Sequence, residues 1–459
     1  MEAEHVDVVV IGMGPGGEYL AGSLAEAGLA VAGVERRLVG GECPYYGCVP
    51  SKMMIRAGNL LAEGRRIPGL AGSAQVTADW APVAARIRKE ATDNWDDKVA
   101  ADRFEGKGGT LARGQGRITG PGEVTVDRPG GPPRVFLARR GIVINSGTEP
   151  AVPPIDGLAG TPYWTNRDAI RTEEVPRSLM VLGGGAIGSE LAQVFARFGA
   201  EVTVVEAMPR LLSFGEPEAG DLLAKVFTGE GITVRTGARA GRVEHDGSQF
   251  TVEVSGQRLR AGRLLVATGR RGNIAGLGLG AVGLDEGART LEVDDRMRAA
   301  DGVWAIGDIT GHGAFTHVSM YQAEIARRDI LGEDGPVADY RAVPRVTFTD
   351  PEVGSVGLTE AQARDQGLAV RTGTVQVPES ARGWIHKAGN HGFIKVVEDA
   401  GRGVLVGATS AGPVGGEVLS ALVVAIRGEV PTATLRNMIY AYPTFHRAIE
   451  DAIKNLSAS

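Results

Sequence analysis

The sequence predicts an α/β protein that contains two Rossmann-like dinucleotide-binding domains. Two stretches of the chain share one order of features: an apolar strand, a glycine-rich turn, a helix, and a second strand that ends in glutamate. The first strand of each stretch is almost continuously apolar, as expected of a parallel strand buried on both faces. The chain has 459 residues, enough for three or four domains. Its 68 glycines follow no three-residue period and separate apolar runs, as expected of tight turns.

The first motif follows the apolar strand 6–11. Its glycines are Gly12, Gly14 and Gly17, and the next strand ends in Glu35. In a Rossmann unit the first glycine forms the turn, the second lets a pyrophosphate approach, and the third lets the helix pack on the strand. The acidic residue binds a ribose hydroxyl. We therefore expect a dinucleotide at this turn.

The second motif repeats the first with the same spacing. Gly183, Gly185 and Gly188 form its turn, and its second strand ends in Glu206. In both motifs the glutamate lies 18 positions after the last glycine. A carboxylate here accepts hydrogen bonds from a free 2′-hydroxyl and repels a 2′-phosphate, so we expect NADH to be favoured over NADPH. Arg210, four residues further on, weakens this expectation because an arginine nearby can hold a 2′-phosphate.

The only two cysteines, Cys43 and Cys48, are five residues apart. Zinc bound by thiolates needs more ligands, and a cytosolic protein keeps a disulfide mainly where it is catalytic or redox-sensing. In a regular helix this spacing gives a Cα separation of about 8.6 Å, beyond the limit of about 7 Å for a disulfide. If the cysteines bond, residues 44–47 must form a loop or a distorted turn, with regular helix beginning near Val49. Cys48 would then lie at the helix N-terminus, where the dipole and Lys52 favour its thiolate.

The charge balance limits the classes of partner. Lys and Arg number 49 and Asp and Glu number 55, so the net charge is −6. Nucleic-acid and anionic-membrane binders are usually basic, so neither partner is expected. No apolar run approaches the roughly 20 residues that a membrane span requires. Gly12 and Gly14 interrupt the first apolar run, so it does not fit a secretory signal. We expect a soluble cytoplasmic protein, and the histidine spacing predicts no metal site.

The segment from Gly40 to Lys52, which holds both cysteines, resembles the redox-active signature of the class I pyridine nucleotide–disulfide oxidoreductases. That family includes dihydrolipoamide dehydrogenase, glutathione and mycothione reductases, and mercuric reductase. Three later segments agree with the family in the same order, so the similarity covers essentially the whole chain. They are residues 266–271, which include Gly269 of the expected nucleotide site and look like the end of the NAD domain; residues 303–308, which look like the second FAD motif, with Asp308 on the ribityl chain; and residues 351–359, which look like the start of the dimerisation domain.

The resemblance implies a domain order and a flow of electrons. The implied segments are an FAD-binding part at 1–149, an NAD(P)-binding domain at 150–272, a return to the FAD-binding domain at 273–338, and an α+β dimerisation domain at 339–459. The resemblance also implies a homodimer whose active site lies at the subunit interface. Electrons would pass from NADH to FAD, then to the cysteine pair, and finally to a small disulfide, an oxidised thiol or a quinone.

Individual roles are also carried over from the resemblance. Cys48 is implied to be the thiol against the flavin, and Cys43 the interchange thiol that attacks the substrate. Lys52 resembles the family lysine near the flavin N5, and Glu190 resembles its carboxylate partner. A cation beside the isoalloxazine would stabilise negative charge on the reduced flavin, and the carboxylate would hold that cation in place.

The C-terminal active-site segment departs from the family. Most members carry His-Pro-Thr followed three residues later by Glu; the histidine is the acid/base and the glutamate orients it. In the matching stretch here, Tyr442 takes the place of the histidine and His446 that of the glutamate. A phenol with a pKa near 10 is a poor general base at neutral pH. The loss of the histidine base counts against a dihydrolipoamide dehydrogenase. It impairs catalysis less for a disulfide, metal-ion or quinone substrate. Hg(II) reduction is nevertheless disfavoured, since the chain lacks the C-terminal cysteine pair of mercuric reductases.

Pro443 is expected to be the first residue of a helix, which would place Tyr442 and His446 one turn apart on one face. A relay between these two side chains is one alternative, and an interface or surface role for His446 is the other.

Two further segments have less specific interpretations. Tyr45 and Tyr46, between the cysteines, either line the substrate side of the disulfide or pack the turn. Residues 93–102 are expected to form an ordinary charged helix.

Three functions remain open. The leading hypothesis is an NADH-preferring, FAD-dependent disulfide reductase that acts through Cys43 and Cys48. The second is a diaphorase or quinone reductase with a non-essential dithiol. The third is a dihydrolipoamide dehydrogenase-type component of a larger complex. The intact cysteine motif favours the first over the second, and the missing base weakens the third.

Overall fold

The computed structural model describes residues 3–458 and divides the chain into two units. The first unit contains the residues up to Pro50, Ala85–Ala151 and Arg270–Tyr340. The second unit contains Ser51–Ala84, Val152–Gly269 and the residues from Arg341 onwards. Two helices, Cys48–Arg66 and Ala81–Arg86, contain residues of both units. Among residues 3–458, no helix has the length and apolarity needed to cross a membrane.

The first unit is built on an eight-stranded sheet with a parallel centre. Strand Glu4–Ile11 lies between Val31–Glu35 and Arg134–Ile144 and is parallel to both. Its residues 8–10 are completely buried, as predicted for a strand covered on both faces. The main path of the sheet is Arg298–Ala300, Val303–Ala305, Arg134–Ile144, Glu4–Ile11, Val31–Glu35 and Thr110–Arg113, and the hairpin of Gln115–Gly120 and Glu123–Asp127 joins it at Arg134–Ile144. Thr148–Pro150 pairs separately with Arg270–Gly272.

Helices pack on one face of this sheet. Val8 and Val10 point into a core shared with the helices Pro15–Glu26 and Thr316–Leu331. These two helices approach so closely that a Cβ on Gly16 would lie 2.1 Å from the hydroxyl oxygen of Ser319. The other helical segments of this unit are Glu42–Tyr46, the π-helical turn Ile87–Ala91, Lys98–Gly106, Leu279–Val282 and Asp308–Thr310, whereas Asp93–Trp95 forms a left-handed turn.

The second unit contains the second Rossmann-like sheet. Its four strands are all parallel and run in the order Thr233–Arg235, Glu201–Val205, Ser178–Leu182 and Arg263–Val266. The helices Asn166–Arg171, Ala186–Arg197 and Pro217–Gly229 belong to this part of the chain. A three-stranded antiparallel sheet is made of Ala240–His245, Phe250–Val254 and Gln257–Ala261.

The C-terminal part of the second unit is an α+β structure. Its antiparallel sheet has the order Pro344–Thr347, Glu352–Gly357, Val404–Gly412, Phe393–Asp399, Val370–Gln376 and Ser457–Ala458. Leu419 and Leu422 of the helix Gly415–Arg427 pack against this sheet through Val356 and Val396. The remaining helices are Glu360–Asp365, Val377–Glu379, Ala381–His386, Thr432–Asn437 and Ala448–Lys454. The predicted fold class, with two Rossmann-like domains and a C-terminal α+β domain, is confirmed.

One predicted helix is wrong over half its length. The residues from Asp93 to Trp95 have left-handed backbone angles, with φ of 45°, 55° and 57°. A regular right-handed helix cannot contain them. The helix in this region begins at Lys98 and ends at Gly106.

Candidate active site

The first glycine-rich turn is closed by contacts that leave no room for side chains. Gly12 has a φ of +98°, and a Cβ there would lie 2.3 Å from the carbonyl oxygen of Asn145. A Cβ on Gly17 would lie 2.1 Å from the Gly12 oxygen. Gly14 precedes the helix Pro15–Glu26, whose first turn has no side-chain cap. The backbone N–H groups at this end suit a pyrophosphate.

Glu35 closes this turn from the next strand. Its two carboxylate oxygens accept hydrogen bonds from the N–H groups of Met13 at 2.9 Å and Arg37 at 2.7 Å. Burial raises the pKa of Glu35, while these two hydrogen bonds act to lower it. A buried acceptor next to the glycines fits the ribose of a bound dinucleotide.

The second turn repeats this arrangement. A Cβ on Gly183 would lie 2.3 Å from the Ala267 oxygen, and one on Gly188 would lie 2.0 Å from the Gly183 oxygen. By contrast, no atom lies within 4 Å of a Cβ built on Gly185, the residue before the helix Ala186–Arg197.

Glu206 has the same partners in the second turn as Glu35 has in the first. It accepts hydrogen bonds from the N–H groups of Gly184 at 2.6 Å and Met208 at 2.7 Å. The nearby Arg210 forms an exposed ion pair with Asp221 at 3.1 Å. Each carboxylate thus binds the residue after the first glycine and the second residue after itself.

Asp308 and Gly269 have contrasting surroundings. Asp308 is half-buried and accepts a 2.6 Å hydrogen bond from the hydroxyl of Thr148, which itself accepts one from Arg270 at 2.7 Å. Gly269 has a φ of +120°, and a Cβ there would have no atom within 4 Å. The two glycine turns, their acidic residues and Asp308 fit FAD in the first unit and a pyridine nucleotide in the second.

The two cysteines are thiols in the structure, and no disulfide joins them. Cys43 lies in the one-turn helix Glu42–Tyr46, and Cys48 is the first residue of the helix Cys48–Arg66. Only Gly47 separates the two helices, with φ of −130° and ψ of −117°. The irregularity is confined to this one residue in the unbonded state; the loop expected at residues 44–47 was a condition of a Cys43–Cys48 disulfide and stays a prediction. The start of the second helix lies within one residue of its predicted place.

The two sulfurs interact with each other. The pKa of Cys43 is raised, first by its hydrogen bond with Cys48 and then by burial. The hydroxyl of Thr316, at the start of a 16-residue helix, lies 3.6 Å from the Cys48 Sγ. A hydrogen bond from this hydroxyl to Cys43 acts in the opposite direction and lowers its pKa. The turn therefore brings both thiols to a common hydroxyl group, that of Thr316.

Of the two tyrosines between the cysteines, Tyr45 packs the turn. It is only 6% exposed, and burial, followed by the charges of Asp97 and Glu18, raises its pKa to about 12. The sequence interpretation missed Trp95, whose indole N–H donates to the Tyr45 carbonyl at 3.2 Å. No sequence pattern indicated this contact, because it depends on the left-handed backbone.

Lys52 and Glu190 lie together in the second unit. The Lys52 Nζ is 2.8 Å from one carboxylate oxygen of Glu190 and 4.6 Å from the centre of the Phe348 ring. The other oxygen of Glu190 accepts a 2.8 Å hydrogen bond from the Phe348 N–H. The structure thus brings this predicted pair into contact, while its role toward a flavin stays a prediction.

The C-terminal pair is not arranged as predicted. The helix expected from Pro443 begins at Ala448, so the prediction that Tyr442 and His446 share one helical face is wrong. Tyr442 is 70% exposed, and its ring lies 5.6 Å from the guanidinium carbon of Arg447.

His446 lies near a different tyrosine, Tyr440, and the two ring centres are 6.3 Å apart. Counted from Thr444, the third following residue is Arg447 rather than His446. Arg447 therefore stands at the place of the family glutamate, which corrects the assignment of His446 to that place. In residues 3–458, no cluster of three or more His, Cys, Asp and Glu side chains is arranged to hold a metal ion.

Comparison with known families agrees with this geometry. The family described as pyridine nucleotide-disulphide oxidoreductase matches residues 6–323, and its dimerisation domain matches residues 343–453. The chain belongs to the pyridine nucleotide-disulphide oxidoreductase family. The resemblance inferred from the sequence is confirmed.

Relatives of the chain within this family have several names. A dihydrolipoyl dehydrogenase from Chlorobaculum tepidum is 35% identical over 98% of this chain and 97% of its own length. A mercuric reductase from Acidithiobacillus ferrooxidans is 32% identical over 99% of this chain and 83% of its own length. Among solved structures, the Cu(II) complex of the HOCl-induced flavoprotein disulfide reductase RclA from Escherichia coli has a TM-score of 0.86 and 28% identity, and the match covers 99% of each chain.

Family membership establishes the general chemistry. Pyridine nucleotide-disulphide oxidoreductases depend on FAD and use pyridine nucleotides, and this chain is an oxidoreductase that acts on a sulfur group. The dimerisation domain supports a homodimer.

Proposed function

We propose that the protein is an FAD-dependent reductase that takes electrons from NADH and passes them through Cys43 and Cys48 to a small disulfide or an oxidised thiol. The single observation that carries this proposal is the placement of two thiols in adjacent helices that only Gly47 separates. The proposal includes a cytoplasmic homodimer with its active site at the subunit interface. It also includes the division into FAD-binding segments 1–149 and 273–338, an NAD(P)-binding domain at 150–272, and a dimerisation domain at 339–459.

The cysteine pair performs the exchange with the substrate in two steps. The Cys43 thiolate attacks one sulfur of the substrate disulfide, breaks its S–S bond and releases one thiolate. The Cys48 thiolate then attacks the Cys43 sulfur, releases the second thiolate and closes the Cys43–Cys48 disulfide. The pair loses two electrons, and the two products take up two protons. When bound, FAD supplies the two-electron carrier that returns the disulfide to the dithiol at the expense of NADH.

Five side chains are proposed to supply charge and protons to this reaction. Thr316 donates a hydrogen bond that stabilises a thiolate. Tyr442 donates a hydrogen bond to the leaving thiolate. His446 is the alternative proton donor. Lys52, held by Glu190, favours the reduced flavin by its positive charge.

The preference for NADH rests on Glu206. Its carboxylate can accept hydrogen bonds from the ribose of NADH and would repel the 2′-phosphate of NADPH. The exposed ion pair of Arg210 with Asp221 weakens the attraction of Arg210 for a 2′-phosphate. Gly183, Gly185, Gly188 and Gly269 complete the proposed nucleotide site.

A second candidate acceptor is a soft metal ion. The solved RclA structure is a Cu(II) complex, and several relatives are mercuric reductases. Two Cu(II) ions would each take one electron from the dithiol, giving two Cu(I) ions, two protons and the Cys43–Cys48 disulfide. No C-terminal cysteine pair is available to deliver such an ion, since the sequence contains only these two cysteines.

Anaerobic titration of the flavoenzyme with NADH tests the central proposal. Two electrons should produce a long-wavelength thiolate–flavin absorbance band, and Cys48→Ser should abolish it. Turnover should then be measured with low-molecular-weight disulfides, lipoamide, quinones and Cu(II), using wild type and Cys43→Ser. Loss of disulfide turnover in Cys43→Ser supports the reductase. Unchanged turnover with the best acceptor would overturn it in favour of a diaphorase, and a marked preference for dihydrolipoamide would favour the component of a 2-oxo-acid complex.

A further inference from the structure

One short segment is hydrogen-bonded to both ends of the loop that carries Cys43, defined as residues 39–45. This strap, defined as residues Asp93–Asp97, makes two hydrogen bonds to the loop. The indole N–H of Trp95 donates to the Tyr45 carbonyl at 3.2 Å. The Val39 N–H donates to a carboxylate oxygen of Asp97 at 2.6 Å. Because Val39 precedes Cys43 and Tyr45 follows it, the two bonds bracket this cysteine.

The backbone of the strap has an unfavourable conformation. Asp93, Asn94 and Trp95 all have positive φ, between 45° and 57°, although none is glycine. Such residues persist only where surrounding contacts fix them, and they cluster at functional sites. Just before them, the buried Thr92 hydroxyl donates to the carbonyls of Ile87 at 3.1 Å and Arg88 at 3.2 Å. The structure therefore fixes the left-handed turn from its N-terminal side.

The other end of the strap is also fixed. Asp97 is 8% exposed, and Arg113 donates to its two oxygens at 2.6 Å and 2.8 Å. Its carbonyl accepts a hydrogen bond from the Ala101 N–H, in the helix Lys98–Gly106. The strap is anchored at both ends and can hold the loop against displacement.

The loop itself has little conformational stability of its own. Cys43 lies in a helix of five residues, far below the length at which an isolated helix is stable. The preceding Gly41 makes no side-chain cap for this helix. The position of Cys43 relative to Cys48 therefore depends on contacts from outside the loop.

We propose that Trp95 and Asp97 are positioning residues that set the placement of the interchange thiol against its partner. This inference rests on the proposed function and deepens it, because it names the residues that regulate the reactivity of the Cys43–Cys48 pair. Release of the Tyr45 carbonyl would let the short helix relax and would misalign the attack of Cys48 on Cys43.

Trp95→Phe tests this proposal, with Trp80→Phe as its matched control. Trp80 also donates its indole N–H to a backbone carbonyl, that of Thr172, at 3.0 Å. In the flavoenzyme, turnover is measured with 5,5′-dithiobis(2-nitrobenzoate), which needs the cysteines, and with ferricyanide, which can take electrons from the flavin directly. The ratio of the two rates should fall about five-fold in Trp95→Phe, as loss of one hydrogen bond predicts, and should stay constant in Trp80→Phe. The midpoint potential of the dithiol should also move only in Trp95→Phe.

The outcomes separate this inference from the proposed function. If Cys43→Ser retains disulfide turnover, the proposed function fails. If Cys43→Ser loses it while Trp95→Phe matches Trp80→Phe in ratio and potential, the positioning role is overturned and the function stands. If Trp95→Phe does not fold, wild-type enzyme labelled with 5-fluorotryptophan replaces it, and phenylalanine variants of the other four tryptophans assign the Trp95 resonance by elimination. That resonance should shift when the disulfide is reduced to the dithiol, and an unmoved resonance would contradict the proposal.

Discussion

Glu190 joins Lys52 to the backbone of Phe348. One of its oxygens lies 2.8 Å from the lysine nitrogen, and the other accepts the Phe348 N–H at 2.8 Å. The Glu190 side chain is 6% exposed and that of Lys52 is 34% exposed, so the lysine is the open end of the pair. The carboxylate fixes the cation while leaving it accessible.

Glu190→Gln should slow reduction of the flavin by NADH about ten-fold. The amide oxygen can still accept the Phe348 N–H, but the charge that holds Lys52 is lost, and hydrogen bonds to charged groups contribute about 1.5–3 kcal/mol. Stopped-flow absorbance at the flavin band measures the rate. Glu230→Gln is the control, because Glu230 also pairs with a basic residue, Arg197 at 2.6 Å, outside the site. Equal effects of the two changes would count against the role of Lys52.

Alkylation of Cys43 in the reduced enzyme should require a higher pH than alkylation of an ordinary cysteine. Its pKa is raised by the hydrogen bond with Cys48 and by burial, so at neutral pH Cys43 is mostly the thiol and only its small thiolate fraction reacts. Cys48→Ala removes the first cause and should make alkylation at pH 7.5 faster, by about ten-fold for each pKa unit recovered. Iodoacetamide labelling followed by mass spectrometry gives the pH profile. Superimposable profiles for wild type and Cys48→Ala would contradict the expectation.

Glu206→Gln should reduce the preference for NADH over NADPH about ten-fold. The amide keeps an acceptor for the Gly184 N–H but neither attracts the ribose hydroxyl as strongly nor repels a 2′-phosphate. Asp221→Asn should add to this effect by releasing Arg210. The measurement is kcat/KM for each nucleotide. Glu201→Gln, at the exposed start of the same strand, is the control. An unchanged ratio in Glu206→Gln would remove the basis for the NADH preference.

Tyr442→Phe should lower disulfide turnover about ten-fold, because the leaving thiolate loses its hydrogen-bond donor. His446→Ala should change turnover less than about two-fold, since His446 packs near Tyr440 and does not share a helical face with Tyr442. Steady-state rates with one disulfide substrate compare the two variants. A loss in His446→Ala as large as that in Tyr442→Phe would revive the relay between them.

The free energy of unfolding should fall as the pH rises from about 10 to about 12. Tyr45 titrates near 10 in the unfolded chain and at about 12 in the folded protein, because its burial favours the neutral phenol. Its contribution is therefore present below pH 10 and is lost as the pH rises through the folded pKa, by on the order of 2 kcal/mol. Denaturant unfolding at several pH values measures it. Tyr45→Phe should make the decline shallower without removing it, because burial also raises the pKa of Tyr440 to about 12. A decline in Tyr45→Phe as steep as that of wild type would contradict the expectation.

The sequence predicted best what repeats with fixed spacing. Both Rossmann units were predictable because glycines such as Gly12 and Gly183 are required by backbone contacts that no other residue tolerates. The contact between Lys52 and Glu190 was available only through the resemblance, since 138 residues separate them. Their alignment depends on tertiary structure rather than on a local pattern.

Two errors have a common physical cause. Charged residues at 93–102 and a proline at 443 both suit helices by local preference, yet the first segment is helical only from Lys98 and the second not before Ala448. In the first segment a tertiary contact overrides this preference, since the indole of Trp95 donates to the Tyr45 carbonyl. In the second segment the chain after Tyr442 stays irregular until Ala448. Neither feature produces a periodic pattern in the sequence.

Glu35 and Glu206 each accept hydrogen bonds from two backbone N–H groups at equivalent positions. One belongs to the residue after the first glycine of the turn, and the other to the second residue after the glutamate. Both loops therefore keep their shape by their own contacts, before any nucleotide arrives. The pyridine nucleotide binds and dissociates in every catalytic cycle. Because the loop at Glu206 is already ordered, its binding does not cost the entropy of ordering that loop. It also means that the apoprotein should rebind FAD quickly, because the loop at Glu35 need not reorder first.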